Sequence, residues 1–286
     1  MIETVKIKHL TIGDKEPVRL MAAINLSQES FYKESVVNFS DEKALENKFI
    51  NFLKQGTEIF DLGAKSTAPS NIYGTEAVIS AQEEIARIKK PLKILNDLNS
   101  DVIISIDTQS SEVAEYALQH GADLINDISG LKLDKKMVNV IGDYSAFVIV
   151  MTTDKVPGDV YKKNDVIKAL NFSIVKAQEF IPKRNIIIDP GIGYWIPERT
   201  PEDDFQLILD TPQIKEQLQT PALIALSRKS FIGKTLNLPP NERLNGSISA
   251  TAISILYGAN IIRTHDVRET KEAILIAEEF KKLLFR

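Results

Sequence analysis

The chain has 286 residues, of which 43% are hydrophobic and 26% charged, and its formal net charge is −4 at pH 7. It contains no cysteine, which excludes disulfides, thiolate metal sites and a cysteine nucleophile. The acidic balance argues against a general nucleic-acid binder, and no apolar run approaches the roughly 18 residues of a membrane span. The N-terminus also lacks the long apolar stretch of a secretory signal. We therefore expect a cytoplasmic protein that binds neither nucleic acid nor membranes but has room for a local anion pocket.

Short apolar runs alternate with longer amphipathic segments along the chain. The strand-like runs are Arg19–Ile24, Glu58–Leu62, Val102–Ile106, Asp123–Ile125, Ala146–Val150, Asn185–Ile188, Ala222–Leu226 and Ile261–Arg263. The helix-like segments are Asp41–Gln55, Ser80–Asn96, Ser110–His120, Asp134–Gly142, Lys162–Phe180, Pro201–Leu218, Arg243–Tyr257 and Val267–Leu284. Eight strands, each followed by a helix, predict an α/β fold of the closed (β/α)8 TIM-barrel type.

The alternative to a barrel is an open doubly wound sheet, which we disfavour because no Gly-rich dinucleotide motif follows the first strand. We expect a single domain over residues 1–286. Residues 1–17 precede the first barrel strand, and they are predicted to be a short N-terminal β extension, a hairpin that closes the barrel floor. Two helix starts carry capping residues: Asp41 is a good N-cap type, and Asp266 with Glu269 resembles a capping box.

Polar residues follow the ends of almost all the predicted strands. They are Asn25, Asp61, Asp107, Asn126, Asp127, Asp189, the segment Ser227–Ser230 and the segment Arg263–His265. In a barrel the C-terminal strand ends form one mouth, where active sites lie. Each residue alone has a structural explanation, since an aspartate can cap the next helix and Arg263 can pair with a carboxylate. The full set would be costly to bury unless a ligand or close partners satisfy it, so we expect a binding site.

The first half of this mouth suits a heterocycle. Asp107, Asn126 and Asp189 follow strands 3, 4 and 6, and together they offer hydrogen-bond acceptors and an amide. Such groups match a flat ring that carries several N–H donors and ring acceptors.

The second half suits an anion. Barrels commonly bind phosphate after strands 7 and 8, and here these positions hold Lys229, Arg263 and His265. Asn25 lies on the adjacent strand, strand 1. Asn25 supplies a hard oxygen ligand for Mg2+, which often binds through one protein oxygen together with phosphates and water. The sequence therefore predicts a heterocycle at one end and a phosphate or pyrophosphate at the other.

Motifs at these strand ends follow one another in a specific order. They are Met21–Phe31, Asp61–Pro69, Ile104–Thr108, Gly121–Gly130, Ile188–Gly193, Leu226–Gly233, Glu242–Ser247 and Arg263–Val267. As a set they resemble the dihydropteroate synthase family of pterin-binding enzymes, from about Arg19 to the end of the chain. The family fold is the (β/α)8 barrel, in agreement with the strand count.

The resemblance implies a transferase that moves an alkyl group. It would join the methylene carbon of 6-hydroxymethyl-7,8-dihydropterin diphosphate to the amine of p-aminobenzoate or a related arylamine, releasing pyrophosphate, in folate or modified-pterin biosynthesis. Mg2+ is the implied cofactor, and a homodimer is the implied assembly.

The resemblance also implies roles for individual residues. Asp107, Asp189 and Lys229 would be catalytic and, with Asn126, would hold the pterin. The implied diphosphate ligands are Asn25, Arg263 and His265, with the metal near Asn25. The implied residues of the amine-side loops are Ser66, Thr67, Tyr194 and Ser230.

Four loops depart from the family pattern. Ser27-Gln28-Glu29 stands where the family has Thr-Pro-Asp, and Lys65–Ser70 lacks the loop arginine, which is Ala68 here. Val150–Thr153 replaces Met-His-Met-Gln, and Gly193–Ile196 replaces Gly-Phe-Gly-Lys, so that the lysine is lost. We therefore expect the pterin pocket to be kept and the contacts to a small carboxylated amine to be weaker.

Two other functions remain open on the sequence. A pterin-binding methyltransferase domain shares the barrel and a similar pocket but handles no diphosphate, which the motifs Ser227–Ser230 and Arg263–His265 argue against. A non-catalytic homologue that binds a pterin and a partner enzyme is compatible with the altered loops.

Overall fold

The computed structural model describes residues 2–27, 41–65, 79–98, 101–193 and 196–284. In chain order its strands are β1 (Val5–Ile7), β2 (Leu10–Ile12), β3 (Arg19–Asn25), β4 (Ile59–Gly63), β5 (Ile103–Asp107), β6 (Leu124–Asp127), β7 (Phe147–Met151), β8 (Ile186–Asp189), β9 (Leu223–Ala225) and β10 (Ile261–Thr264). Its α-helices are α1 (Glu42–Lys54), α2 (Ala81–Leu98), α3 (Ser111–Gln119), α4 (Met137–Asp143), α5 (Lys163–Ala177), α6 (Pro201–Leu218), α7 (Ser230–Leu236), α8 (Leu244–Leu256) and α9 (Val267–Leu284).

Strands β3 to β10 form one eight-stranded parallel sheet in the order β8-β7-β6-β5-β4-β3-β10-β9. A parallel bridge between Ile188 and Ala222 joins the two outer strands, and the Ile188 amide donates to the Pro221 carbonyl at 3.0 Å. The predicted (β/α)8 barrel is therefore confirmed, and the open sheet is wrong. One helix was missed: α7 lies between β9 and the predicted helix that is now α8.

Two apolar layers hold the barrel together. One lies between the strands and the helices around them, and it includes Leu45, Ile104, Val148 and Ile274. The other fills the inside of the barrel with side chains from successive strands, among them Met21. Such interior layers make a TIM barrel a packed core, so a ligand can enter only at its ends.

The N-terminal extension is a hairpin on the barrel floor. Strands β1 and β2 pair antiparallel, and Val5 and Ile12 pack with the residues of the barrel interior. Lys8 donates to the Val102 carbonyl at 2.8 Å and pairs with Asp123, just ahead of β5 and β6. The floor is thus covered, and the opposite mouth carries the polar strand ends.

Helix starts are capped partly as predicted. Asp41 accepts from the Ala44 amide at 3.0 Å, which confirms the first cap. The Asp266 carboxylate is instead held by Arg228, with Nη2 to Oδ1 at 2.7 Å and Nε to Oδ2 at 2.9 Å. A charge-assisted bidentate contact of this kind is stronger than a neutral capping bond, so Asp266 fixes the loop after β9.

Candidate active site

Register across four strands brings two predicted site residues, Asn126 and Arg263, onto one side chain that the sequence showed only as a polar strand end. Asp61, on β4, is fully buried and accepts from Ser105 at 2.5 Å, from Asn126 Nδ2 at 3.1 Å and from Arg263 Nε at 2.6 Å. Arg263 also reaches Asp107 Oδ2 through Nη2 at 2.9 Å. The guanidinium thus bridges two carboxylates, so Arg263 is a structural partner of the first half of the mouth.

Two oxygens in this cluster lack a hydrogen-bond donor. Among the residues the structure describes, Asp107 Oδ1 and Asn126 Oδ1 are buried and unsatisfied. Asp107 and Asn126 are register partners on β5 and β6, so the two acceptors are neighbours. Burial raises the pKa of Asp107 to about 7, although the charge of Arg263 opposes the rise. Adjacent buried acceptors without donors are costly unless a ligand supplies the donors.

Asp189 and Lys229 form a second group beside the first. Asp189 ends β8 and accepts from the Gly191 amide at 2.7 Å, and the Lys229 ammonium donates to the Ile192 carbonyl. Burial raises the pKa of Asp189, which the charges of Lys229 and Arg263 oppose. Burial lowers the pKa of Lys229 to about 8, which the Asp189 carboxylate opposes. At neutral pH the lysine therefore still carries its charge.

The predicted anion ligands lie on β3, on β10 and just after β10. Asn25 ends β3, where it is the register partner of Gly63. His265 Nδ1 lies 3.1 Å from Ser227 Oγ, which also accepts from the His265 amide at 3.2 Å. Burial, with the charge of Arg263, lowers the pKa of His265 to about 3. The imidazole is therefore neutral at physiological pH and can act towards an anion only as a hydrogen-bond donor.

The amine-side residues are described only in part. Ser230 is the first residue of α7, directly after Lys229. Ser66, Thr67 and Tyr194 lie outside the described residues, as does Ala68.

The sequence analysis missed two further features of this mouth. Thr152 follows β7 and is fully buried, with a hydroxyl that has no partner among the described residues. The loop after β8 lacks the family's lysine, but Arg199 supplies a buried cation there, paired with Asp204. Thr152 could not be predicted as a site residue because hydroxyl side chains are common at strand ends. Arg199 could not be predicted because several residues separate it from β8.

The chain matches a known protein family over most of its length. The family described as "Pterin binding enzyme" matches residues 21–265. A dihydropteroate synthase from Clostridium beijerinckii is 35% identical over 270 residues, which cover 93% of this chain and 94% of that protein. The dihydropteroate synthase of Bacillus subtilis is 32% identical over 269 residues, which cover 93% of this chain and 90% of that protein.

Solved structures give the same result. A dihydropteroate synthase from Coxiella burnetii, in complex with pteroic acid, superposes with a TM-score of 0.83 at 30% identity, covering 98% of this chain and 99% of that chain. The enzyme from Clostridium difficile, solved in the presence of pteroic acid, gives a TM-score of 0.81 at 31% identity, with 93% of this chain and 97% of that chain covered.

Proposed function

The chain belongs to the dihydropteroate synthase family of pterin-binding enzymes, and from this premise we propose that its barrel mouth holds the pterin ring on Asp107, Asn126, Asp189 and Lys229. Its activity is that of a dihydropteroate synthase, a transferase. The substrates are 6-hydroxymethyl-7,8-dihydropterin diphosphate and p-aminobenzoate or a related arylamine.

One observation carries the assignment of the pterin end. Asp107 Oδ1 and Asn126 Oδ1 are neighbouring buried acceptors with no donor among the described residues. A pterin offers N–H donors along one edge of a flat ring, and these would satisfy both oxygens. The rigid support from Asp61 and Arg263 fits this role, because a recognition site needs its acceptors fixed before the ligand arrives.

The diphosphate end is assigned to Asn25, Arg263 and His265. Arg263 is already paired with two carboxyl groups, so its remaining attraction for an anion is smaller than that of an arginine without acidic partners. His265 is uncharged and contributes hydrogen bonding. The diphosphate leaving group is therefore held mainly by hydrogen bonds and by a metal cation that binds together with it.

The chemical step follows from the charges around the ring. The bond between the methylene carbon and the diphosphate oxygen breaks, pyrophosphate leaves, and the amine nitrogen attacks the carbon and then loses a proton. Positive charge develops on the pterin as the bond breaks. In their ionised forms Asp189 and Asp107 would stabilise that charge, because electrostatic stabilisation is strong in a buried setting.

Mg2+ fits this site only as a weakly held ion. No cluster of three or more His, Asp or Glu side chains arranged to hold a metal occurs among the described residues. Asn25 offers a single neutral amide oxygen, and Mg2+ is commonly bound by few protein ligands plus substrate phosphates. When bound with the substrate, the ion would neutralise the charge on the departing pyrophosphate.

The amine is assigned to the loops after β4, β8 and β9. Of the four residues predicted for this end, Ser230, at the start of α7, is the one that the structure describes. The loop arginine of the family is absent, so a small carboxylated amine has one fewer cation to bind. We expect ordinary affinity for the pterin diphosphate and poorer affinity for p-aminobenzoate.

We further propose that the chain forms a homodimer through α8 and α9, which pack side by side. Large apolar side chains on these helices, or directly after α8, are between 39% and 64% exposed: Ile253, Tyr257, Leu275, Ile276, Phe280, Leu283 and Leu284. We expect these side chains to supply the apolar part of the interface. In the described residues, no helix is long and apolar enough to cross a membrane; the expected cytoplasmic location stays a prediction.

Calorimetric titration with two partial ligands tests the division of the site. Asn126→Ala should weaken the binding of 6-hydroxymethyl-dihydropterin by about 10- to 100-fold, because it removes an acceptor beside Asp107. It should leave the binding of Mg2+-pyrophosphate within about twofold. His265→Ala should show the reverse, with a loss of about three- to tenfold for pyrophosphate only. If both variants lose both ligands equally, the assignment of two ends is wrong.

A further inference from the structure

A fully buried ion pair lies behind Lys229. The side chains of Arg199 and Asp204 are both 0% exposed, and Arg199 Nη2 donates to Asp204 Oδ1. Arg199 Nη1 also donates to the Gly158 carbonyl at 3.2 Å, and its guanidinium lies 5.7 Å from the centre of the Tyr161 ring. A buried ion pair often stabilises a protein no more than apolar residues of the same volume would. Stability alone therefore does not explain why this pair is present.

Asp204 also holds the loop that touches Lys229. Its Oδ1 accepts from the Gly193 amide at 2.7 Å, and Asp189 holds the other end of the loop through the Gly191 amide. Gly193 has a φ of +83°, and a Cβ built on it would lie only 2.2 Å from Lys229 Cδ. The loop therefore packs directly against the stem of the lysine, while the Ile192 carbonyl binds its ammonium.

Helix α6, which carries Asp204, contacts helix α7, which directly follows Lys229, and the contact lies near the N-terminal ends of both. Phe205, next to Asp204 in α6, contacts Phe231 of α7 edge-on, with ring centres 5.3 Å apart. Phe231 follows Lys229 by two residues. Asp204 is therefore linked to Lys229 by the loop on one side and by the helix contact on the other.

We propose that Asp204, with Arg199 as its counter-ion, is a positioning residue that fixes the loop Gly191–Gly193 and thereby sets the Lys229 ammonium for pterin binding. The inference rests on the proposed role of Lys229 at the pterin. Neither Asp204 nor Arg199 needs to touch the substrate for this role.

The charges of Arg199 and Asp204 give a second, independent way to test their role, because they act on the pKa of Lys229. The groups that face Lys229 are Asp189 on β8, Asp204 on α6, Arg199 ahead of α6 and Arg263 on β10. The Asp204 carboxylate raises the pKa of Lys229 and the Arg199 guanidinium lowers it. Neutralising Asp204 should therefore lower the pKa of Lys229, and neutralising Arg199 should raise it.

The test measures the affinity of each variant for 6-hydroxymethyl-dihydropterin diphosphate by calorimetry between pH 6 and 9. Asp204→Ala removes the acceptor for Gly193 and should weaken binding at pH 7 at least tenfold. Asp204→Asn keeps an acceptor and should restore most of the affinity at pH 6. If protonated Lys229 binds the ligand, its affinity falls as pH rises through the lysine pKa; this fall should move to lower pH in Asp204→Asn and to higher pH in Arg199→Gln.

Controls separate this inference from simple destabilisation. Asp210→Asn changes another carboxylate of α6, which pairs with Lys163 at 3.7 Å, away from the loop, and should leave both affinity and pH profile unchanged. The double variant Arg199→Gln/Asp204→Asn keeps hydrogen-bonding groups without buried charge, and its affinity is measured in place of any single variant that does not fold. Wild-type protein that fails to bind the pterin diphosphate would refute the proposed function instead. Unchanged affinity in Asp204→Ala, or pH profiles of the charge variants that coincide with the wild type, would overturn the positioning role.

Discussion

At the scale of single residues, the site is organised by Asp61 and Arg263. Asp61 receives donors from Ser105, Asn126 and Arg263, and Arg263 extends to Asp107. The sequence showed Asp61 as one more polar strand end, because its partners come from β5, β6 and β10 and only register brings them together. The residues proposed to contact the ligand were predicted from their types, whereas Asp61, which holds Asn126 and Arg263, was not.

The same arrangement predicts how stability depends on pH. Burial raises the folded-state pKa of Asp107 from 3.8 to about 7. Ionising Asp107 therefore disfavours the folded state. In the wild type the free energy of unfolding falls between about pH 4 and 7 as Asp107 ionises, and above pH 7 this group causes no further fall. Arg263→Gln removes the charge that opposes this shift, so the pKa rises further and the loss continues above pH 7.

We therefore expect the stability deficit of Arg263→Gln, measured by urea unfolding, to be larger at pH 8.5 than at pH 6. Each unit of additional pKa shift adds about 1.4 kcal/mol to the deficit. In an Asp107→Asn background the difference between the two pH values should shrink. A deficit that is equal at both pH values in the Asp107 protein would contradict this account.

At the scale of elements, the strands were the most predictable part. Parallel strands are buried on both faces, so they appear as continuous apolar runs such as Phe147–Met151. Helix α7 was missed because it has only seven residues and begins inside the polar motif that follows β9. The Arg199–Asp204 pair was not predicted because both residues lie well beyond the end of β8 and outside the motif that follows this strand.

A buried lysine helps to hold the segment after the N-terminal hairpin against the helices. Lys215 of α6 is 3% exposed, and its ammonium contacts Asp14 at 2.5 Å and the Gly258 carbonyl. Asp14 itself is 44% exposed, so water can replace the lost partner if Lys215 is removed.

Lys215→Met should therefore lower the free energy of unfolding by about 1–3 kcal/mol, seen as a fall of several degrees in Tm. Its kcat/KM should stay within about twofold of the wild type, because the floor lies at the opposite end of the barrel from the mouth. Lys168→Met, whose side chain is 78% exposed and pairs with Asp165, is the matched control and should change Tm little. A loss of activity without a loss of stability in Lys215→Met would show that the floor communicates with the site.

At the scale of the whole molecule, the apolar side chains on α8 and α9 predict a dimer. Ile276 and Phe280 are 62% and 58% exposed and lie four residues apart in α9, on one side of the helix. The double variant Ile276→Glu/Phe280→Glu should be a monomer by light scattering, with the wild-type circular dichroism spectrum.

Phe172→Glu offers a control, because Phe172 of α5 is 59% exposed outside this face. It should leave the oligomeric state unchanged. A wild-type protein that is monomeric at all concentrations would contradict the proposed interface.

Release of pyrophosphate tests the central claim most directly. Wild-type protein, Mg2+ and 6-hydroxymethyl-dihydropterin diphosphate should release pyrophosphate on addition of p-aminobenzoate or a larger arylamine. Asp189→Asn should lower kcat/KM by about 30- to 1,000-fold, corresponding to about 2–4 kcal/mol of lost electrostatic stabilisation. Tight binding of the pterin without release of pyrophosphate with any arylamine would instead identify a non-catalytic homologue. Methyl transfer from a methylated pterin to a corrinoid partner would identify a methyltransferase, and either result would contradict the proposed reaction.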